Sequence, residues 1–362
     1  MPRLWKRVQP VLIVSVVTVI AIVAGILLYV TLSHDESQVA VDALTIGVEP
    51  LSSVNAGKLT LYSGRGENLV SPLIKKFEKE TGIVVKVRYG ATAPLALAII
   101  EEGKNSPADL YWSQDAGSLG ALSRRDRLQK IPGRILENVD ARFRSSVDEW
   151  VGITGRARVV DYNTQLVNSS DLPDSIWGFL DPGWKGKIGW APENGSFQAF
   201  VTAFRKLEGE DRTREFLAGI MANEPQVYPG NSPIVAALGR GEIDVGLVNN
   251  YYLHRFRDID PLFPVAHHYT KGDAGSMINV AGLAVLDTAK DRELAESFIE
   301  YMLSQNAQLY FSTETYEYPL LDGMEAPGAQ MALEDIDTPT LDLSDIDDLR
   351  GTLELLKEAG VL

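Results

Sequence analysis

The chain has 362 residues, no cysteine and a formal net charge of −15. The absence of cysteine excludes disulfides, thiolate metal sites, cysteine nucleophiles and a lipid-modified cysteine. The acidity argues against nucleic acid as a partner, because phosphate binding needs a basic face.

The N-terminus comes first in chain order. Arg3, Lys6 and Arg7 precede an apolar run from Val11 to Leu32, long enough to cross a hydrocarbon core as a helix. A cleaved signal peptide usually has a shorter apolar region followed by small residues, and no such site follows Leu32. Residues 1–32 therefore read as an uncleaved anchor in preference to a signal peptide, and 33–57 as a tether. The basic flank places the body outside the cytoplasm. About 300 residues remain, which suits two lobes of roughly 100–200 each.

The body opens with an alternating strand at 58–62 and a turn at Ser63-Gly64-Arg65-Gly66. Leu69, Val70, Leu73, Ile74 and Phe77 recur at helical spacing, and Gly82 stops that helix. A strand at 83–89, a helix at 95–103 and a strand at 108–112 follow. Such alternation implies a mostly parallel sheet with helices on both faces. The apolar stretch 150–162 is too long for one ordinary strand and reads as a crossing into a second lobe. There the pattern repeats, with strands at 187–190 and 226–228. Asn194 caps one helix, and Asn231 and Pro233 begin another.

The strand Gly241-Glu242-Ile243-Asp244-Val245-Gly246-Leu247-Val248 then runs through Asn249-Asn250 into Tyr251-Tyr252. A long strand at 279–286 returns to the first lobe. Helices follow at 291–304 and from Asn306 into Phe311. An acidic, loop-rich region at 322–348 leads to a last helix at 349–359 that docks back. The expected fold is α/β with two doubly wound sheets joined by a hinge. Residues 58–157 and 279–332 form the first lobe; 158–278 and 333–362 form the second. A cleft at such a hinge is the expected ligand site.

Ligands meet open α/β sheets past the C-terminal ends of strands, where Tyr251 and Tyr252 fall. Phenolate is a hard oxygen donor suited to ferric iron. Adjacent strand residues face opposite ways, so one core tyrosine and one rim tyrosine is an equally open reading of this segment alone. Three helix starts, Gly64-Arg65-Gly66, Asn194-Gly195-Ser196 and Asn231-Ser232, are expected to face the cleft. Their free N–H groups would cradle a small anion such as carbonate or phosphate. His267-His268 reads as a surface pair, and His254 as a group outside the ligand shell.

Enzyme motifs are missing. The sequence has no Gly-x-Ser-x-Gly elbow, no His-Glu-x-x-His helix and no phosphate loop, and Gly64-x-Gly66 lacks the third glycine of a dinucleotide loop. With four histidines in the whole chain, histidine-based catalysis has few sources. A hydrolase or transferase would need a nucleophile–base pair in the cleft, and the sequence offers none.

Several segments resemble the ferric-iron-binding receptors of bacterial ABC importers, members of the two-lobed periplasmic binding protein class. They are Leu61-Tyr62-Ser63-Gly64-Arg65, Phe77-Glu78-Lys79-Glu80-Thr81-Gly82, Ala108-Asp109-Leu110-Tyr111-Trp112, Gly155-Arg156-Ala157-Arg158-Val159-Val160, Trp184-Lys185-Gly186-Lys187 and the stretch ending at Tyr252. The resemblance implies that Tyr251 and Tyr252 ligate Fe(III), with an exogenous anion near Asn194, Gly195, Ser196, Asn231 and Asn249. The family's first-lobe histidine falls near Gly66-Glu67, making Glu67 its substitute. The family's carboxylate falls near Gln114-Asp115, and Gln114 is taken as the metal-side residue. Phe197 stands near a position where some members have a further tyrosine. Arg65 and Arg156 are left to neutralise charge around the anion. The implied protein is a monomeric, membrane-anchored, extracytoplasmic receptor, not an enzyme, that delivers iron to an ABC permease. A phosphonate, a polyamine or thiamine in the same fold is the alternative cargo, and a sensor role coupled through the anchor stays open.

Overall fold

The computed structural model describes residues 57–326 and 330–362. The expected anchor and nearly all of the tether lie outside them. No helix among the described residues is long and apolar enough to cross a membrane.

The first lobe begins with β1 (Lys58–Ser63), α1 (Glu67–Thr81), β2 (Val84–Tyr89), α2 (Thr92–Glu102), β3 (Leu110–Ser113), α3 (Ala116–Ser123) and the single turn α4 (Gly133–Leu136). The apolar stripe of α1 buries Val70, Leu73, Ile74 and Phe77. Gly82 ends α1 at φ +75°, its N–H bonding back to Glu78 O, a left-handed stop that suits glycine. β4 (Val151–Asn163) is buried along its whole length.

Beyond it come β5 (Ile188–Trp190), α5 (Gly195–Glu208), α6 (Glu210–Ala222), β6 (Gln226–Val227), α7 (Asn231–Gly239), β7 (Val245–Asn249), α8 (Tyr251–Ile259) and β8 (Val265–His268). Then follow β9 (Ile278–Val285), α9 (Arg292–Met302), α10 (Gln305–Glu314), β10 (Tyr318–Pro319) and α11 (Leu349–Glu358).

One sheet runs β2-β1-β3-β9-β4, with β10 on the other edge of β4. The second runs β4-β7-β5-β6, with β8 also on β4. β4 therefore belongs to both. Its residues up to Ala157 pair with β9, and from Arg158 onward they pair with β7. Each sheet has its own aromatic core. Phe77, Trp112, Phe298 and Phe311 make edge contacts in the first. Trp190, Phe197, Phe200, Phe204 and Phe216 pack together in the second.

Part of the C-terminal segment expected in the second lobe lies on the first. Residues 342–347 lie on α3. A Cβ on Gly117 would sit 2.1 Å from Ile346 O, and one on Gly120 2.1 Å from Ser344 O, so two glycines on one helix face admit this backbone. Arg124 pairs with Asp347, and Trp150 Nε1 donates to Ser344 Oγ at 3.3 Å. The next residue, Asp348, is held from the second lobe: Arg205 Nη2 meets its carboxylate at 2.9 Å and Arg205 Nη1 its carbonyl at 3.0 Å. α11 then packs on α5, with Thr352 and Thr202 hydroxyls 2.7 Å apart.

Candidate metal centre

β7 delivers the tyrosine pair to the cleft. Asn250 anchors its end to β4 at the sheet switch: its N–H donates to Ala157 O at 3.1 Å, and its Oδ1 accepts from Ala157 N at 3.0 Å. Tyr251 and Tyr252 open α8. Successive helical residues turn by about 100°, not the 180° of a strand, so both phenols can reach the same space. Their rings stack at 4.3 Å between centroids and 29° between planes, and Tyr251 OH donates to Tyr252 OH at 3.0 Å. The alternation of a strand, with one tyrosine inside and one on the rim, does not apply. Burial, and after it the Tyr251 neighbour, pushes the Tyr252 phenol above the usual tyrosine range.

Both tyrosines line a cleft of about 1340 Å³ shared by the two lobes. Gln114 and Asp115 line it from the start of α3, and Arg156 from the crossing strand. Asn194, Gly195 and Ser196 line it from the start of α5. Arg156 and Arg158 stand two apart on β4, hence on one face of the strand. Both are at most 5% exposed. Desolvation lowers the Arg158 guanidinium to about 10 and depresses Arg156 as well, while Tyr251 pulls both back up. Arg156 Nη1 is buried without a hydrogen-bond partner. Arg158 Nη1 donates to Asn249 Oδ1 at 3.2 Å, and its guanidinium lies 5.1 Å from the Phe200 ring centroid. Asp115 is half-buried beside Arg156. Burial raises its carboxyl, and Arg156 opposes that shift.

The asparagines form a connected frame. Asn194 caps α5 by accepting from Ser196 N at 3.0 Å and Ser196 Oγ at 2.6 Å. Asn231 Nδ2 donates to Asn194 Oδ1 at 3.3 Å and Ser196 Oγ at 3.4 Å, while its own Oδ1 accepts from Asn249 N at 3.1 Å. Asn231 and Asn249 thus stand behind the lining residues and hold them. Asn249 Nδ2 is buried with no partner.

The structure does not place every expected residue at the cleft. Glu67 is exposed at the start of α1 and does not line the cavity. Gly64, Arg65, Gly66 and Ser232 are likewise absent from its walls. Arg65 is buried, with Nη2 on Glu317 at 2.5 Å and Nη1 on Gln114 Oε1 at 2.9 Å. An arginine neutralised by a buried carboxylate has little charge left for an anion, and the Gln114 carbonyl oxygen is engaged by it. Phe197 packs 5.4 Å from Trp190 in the second core and carries no donor.

The histidine pair is not a surface feature. His267, on β8, sits 2.6 Å through Nδ1 from the fully buried Asp161, and His268 Nε2 lies 2.8 Å from Pro173 O. Sequence reasoning gave no role to Arg158 or Asn250, and it preferred Gln114 to the neighbouring Asp115. Arg158 is a charged residue inside an apolar strand, a pattern that itself signals a buried polar site.

Two α/β sheets sharing a crossing strand, with a cleft between them, define a solute receptor of the periplasmic-binding-protein type. The family model for bacterial extracellular solute-binding proteins matches residues 59–314, and the chain belongs to that family, whose members bind solutes for transport and are not enzymes. Within it, the chain is similar to the major ferric iron-binding protein of Neisseria meningitidis, 29% identical over 324 residues, 88% of this chain and 96% of the relative. Iron uptake protein A1 of a Synechocystis species is 31% identical over 314 residues, 84% of this chain and 87% of the relative. The crystal structure of iron-bound HitA from Pseudomonas aeruginosa superposes with a TM-score of 0.77 at 33% identity, covering 84% of this chain and 99% of that one.

Proposed function

We propose that this protein captures ferric iron outside the cytoplasm and hands it to an ABC permease. One observation carries this reading: two phenol oxygens 3.0 Å apart at the start of α8, facing the inter-lobe cleft. Ferric iron prefers hard oxygen donors, and two phenolates with a bound anion answer that preference. Both phenols release their protons on binding. Arg156 and Arg158 balance the anionic charge, and the cap of α5 at Asn194, Gly195 and Ser196 offers N–H donors to carbonate or phosphate. Asn231 and Asn249 position that cap and Arg158. Asp115 is the first-lobe carboxylate nearest this chemistry. Lobe closure around the cargo shifts the open–closed equilibrium.

In this reading residues 58–157 and 279–332 form one lobe and 158–278 the other. The N-terminal apolar segment tethers a monomeric receptor to the membrane beside its permease. The cleft volume of about 1340 Å³ exceeds what an ion and a small anion fill, and an organic solute clamped by the stacked tyrosines is the second reading.

The test is to load the purified protein with ferric citrate and bicarbonate and record the visible spectrum. The expected result is a broad phenolate-to-iron charge-transfer band that disappears in Tyr251→Phe. A colourless protein that retains no iron sinks the ferric reading and leaves the organic solute.

A further inference from the structure

Between α10 and β10 the chain turns through Thr315, Tyr316 and Glu317, and Tyr316 holds φ +59°. A bulky side chain occupies this left-handed region only at a cost, and such strain persists where the surroundings over-determine it. They do so here. The buried Glu317 carboxylate accepts from Arg65 Nη2 at 2.5 Å, Thr154 Oγ1 at 3.0 Å and Thr315 Oγ1 at 2.9 Å. The Glu317 N–H returns to Phe311 O at 3.2 Å. All these partners belong to the first lobe.

The strained turn sends the Tyr316 ring across to the second lobe. It stacks on His254 of α8 with centroids 5.4 Å apart and planes at 22°, and its hydroxyl donates to Asp258. His254 and Asp258 are four apart on one face of α8, and Tyr251 lies three before His254 on the same stripe. Behind His254 stands His267, its ring at 5.4 Å and fixed by Asp161. A second contact reaches the start of α8, where Asn250 Nδ2 donates to Gln330 Oε1 at 3.0 Å.

We propose that Tyr316 is a positioning residue, a clasp by which the first lobe grips α8 and so holds the tyrosine pair in the closed cleft. Only the identity of the cargo it retains rests on the ferric reading. The clasp lies outside the cavity and its ring touches no cleft-lining residue named above. Its contribution is therefore to closure and retention rather than to coordination. Bond and stack sit at the surface end of α8, so water competes for them and the effect is moderate.

Because the chain has no cysteine, labels can be placed freely. Lys75→Cys on α1 and Ala218→Cys on α6 put one spin label on an exposed position of each lobe. Inter-label distances are measured in the full chain with Tyr316, Tyr316→Phe and Tyr316→Ala. The expected result is a shift of Tyr316→Ala toward longer distances, raising the open-to-closed ratio about 2- to 10-fold, with Tyr316→Phe between the two. Iron-loaded Tyr316→Ala should lose its metal to EDTA faster by a similar factor while its charge-transfer band keeps its position. Superimposable distance distributions for the parent and Tyr316→Ala would overturn the clasp. A parent without a charge-transfer band would sink the ferric reading, and the label distances would still decide the clasp. Should Tyr316→Ala fail to fold, Asp258→Ala, which removes the acceptor at the exposed end of the bond, takes its place with the same expected direction.

Discussion

At the scale of single residues, the centre is a pair of stacked phenols beside two buried arginines. Tyr252 is held above the usual tyrosine range by burial, so under the proposed ligation iron has to displace its proton. Ligation by both phenols would release up to two protons, so affinity should drop by as much as about 100-fold for each unit the pH is lowered. Potentiometric titration during loading checks this; no proton release would rule out phenolate ligation. Tyr252→Phe should weaken iron binding by at least about 100-fold while leaving the unfolding midpoint close to that of the parent, since a hydroxyl within the cleft adds little to either core. Arg156→Leu removes a cation whose Nη1 has no protein partner. It should reduce the dependence of iron binding on added bicarbonate or phosphate; an unchanged anion titration would place the anion elsewhere. The tyrosine pair stood out at a strand end, but the sequence left a core-and-rim arrangement equally open, and the stacked rings that meet at the cleft are what exclude it. Arg158 went unread, and Asp115 was passed over for Gln114 beside it. A sequence shows that a charged residue lies in or near a strand, but not which neighbours desolvate it.

At the scale of elements, β4 was readable from its length and apolarity, which no single sheet would require. β8 was not, because His267 and His268 disguise a strand whose polar side chains bond to Asp161 and to Pro173 O. The cap of α5 was readable from Asn194 alone, whereas the start of α8 at Tyr251 was hidden by the continuity of the preceding strand pattern. That boundary decides whether the tyrosines diverge or converge. Asn194→Ala should cost about 1 kcal/mol of stability and also loosen the Asn231 contact, so iron affinity and thermal midpoint should fall together. Gly120→Ala places a methyl against Ser344 O. Overpacking of that kind costs about 1–3 kcal/mol, and increased hydrogen exchange confined to residues 342–347 would locate it. Uniform exchange across the chain would contradict the close approach seen there.

At the scale of the whole molecule, β4 and β9 are the joints expected of two lobes, and the C-terminal chain adds another. Its acidic composition reads as solvated loop, and nothing in the sequence indicates that two glycines on a distant helix leave room for its backbone. Asp347 is tied to Arg124 of one lobe and Asp348 to Arg205 of the other, and a single peptide link separates their Cα atoms by about 3.8 Å. These ties hold the two bodies at neighbouring atoms, so their relative movement is smallest at that place. The Asp347–Asp348 link is thus a fulcrum. Lobes tied in this way form a lever whose travel grows with distance from the tie.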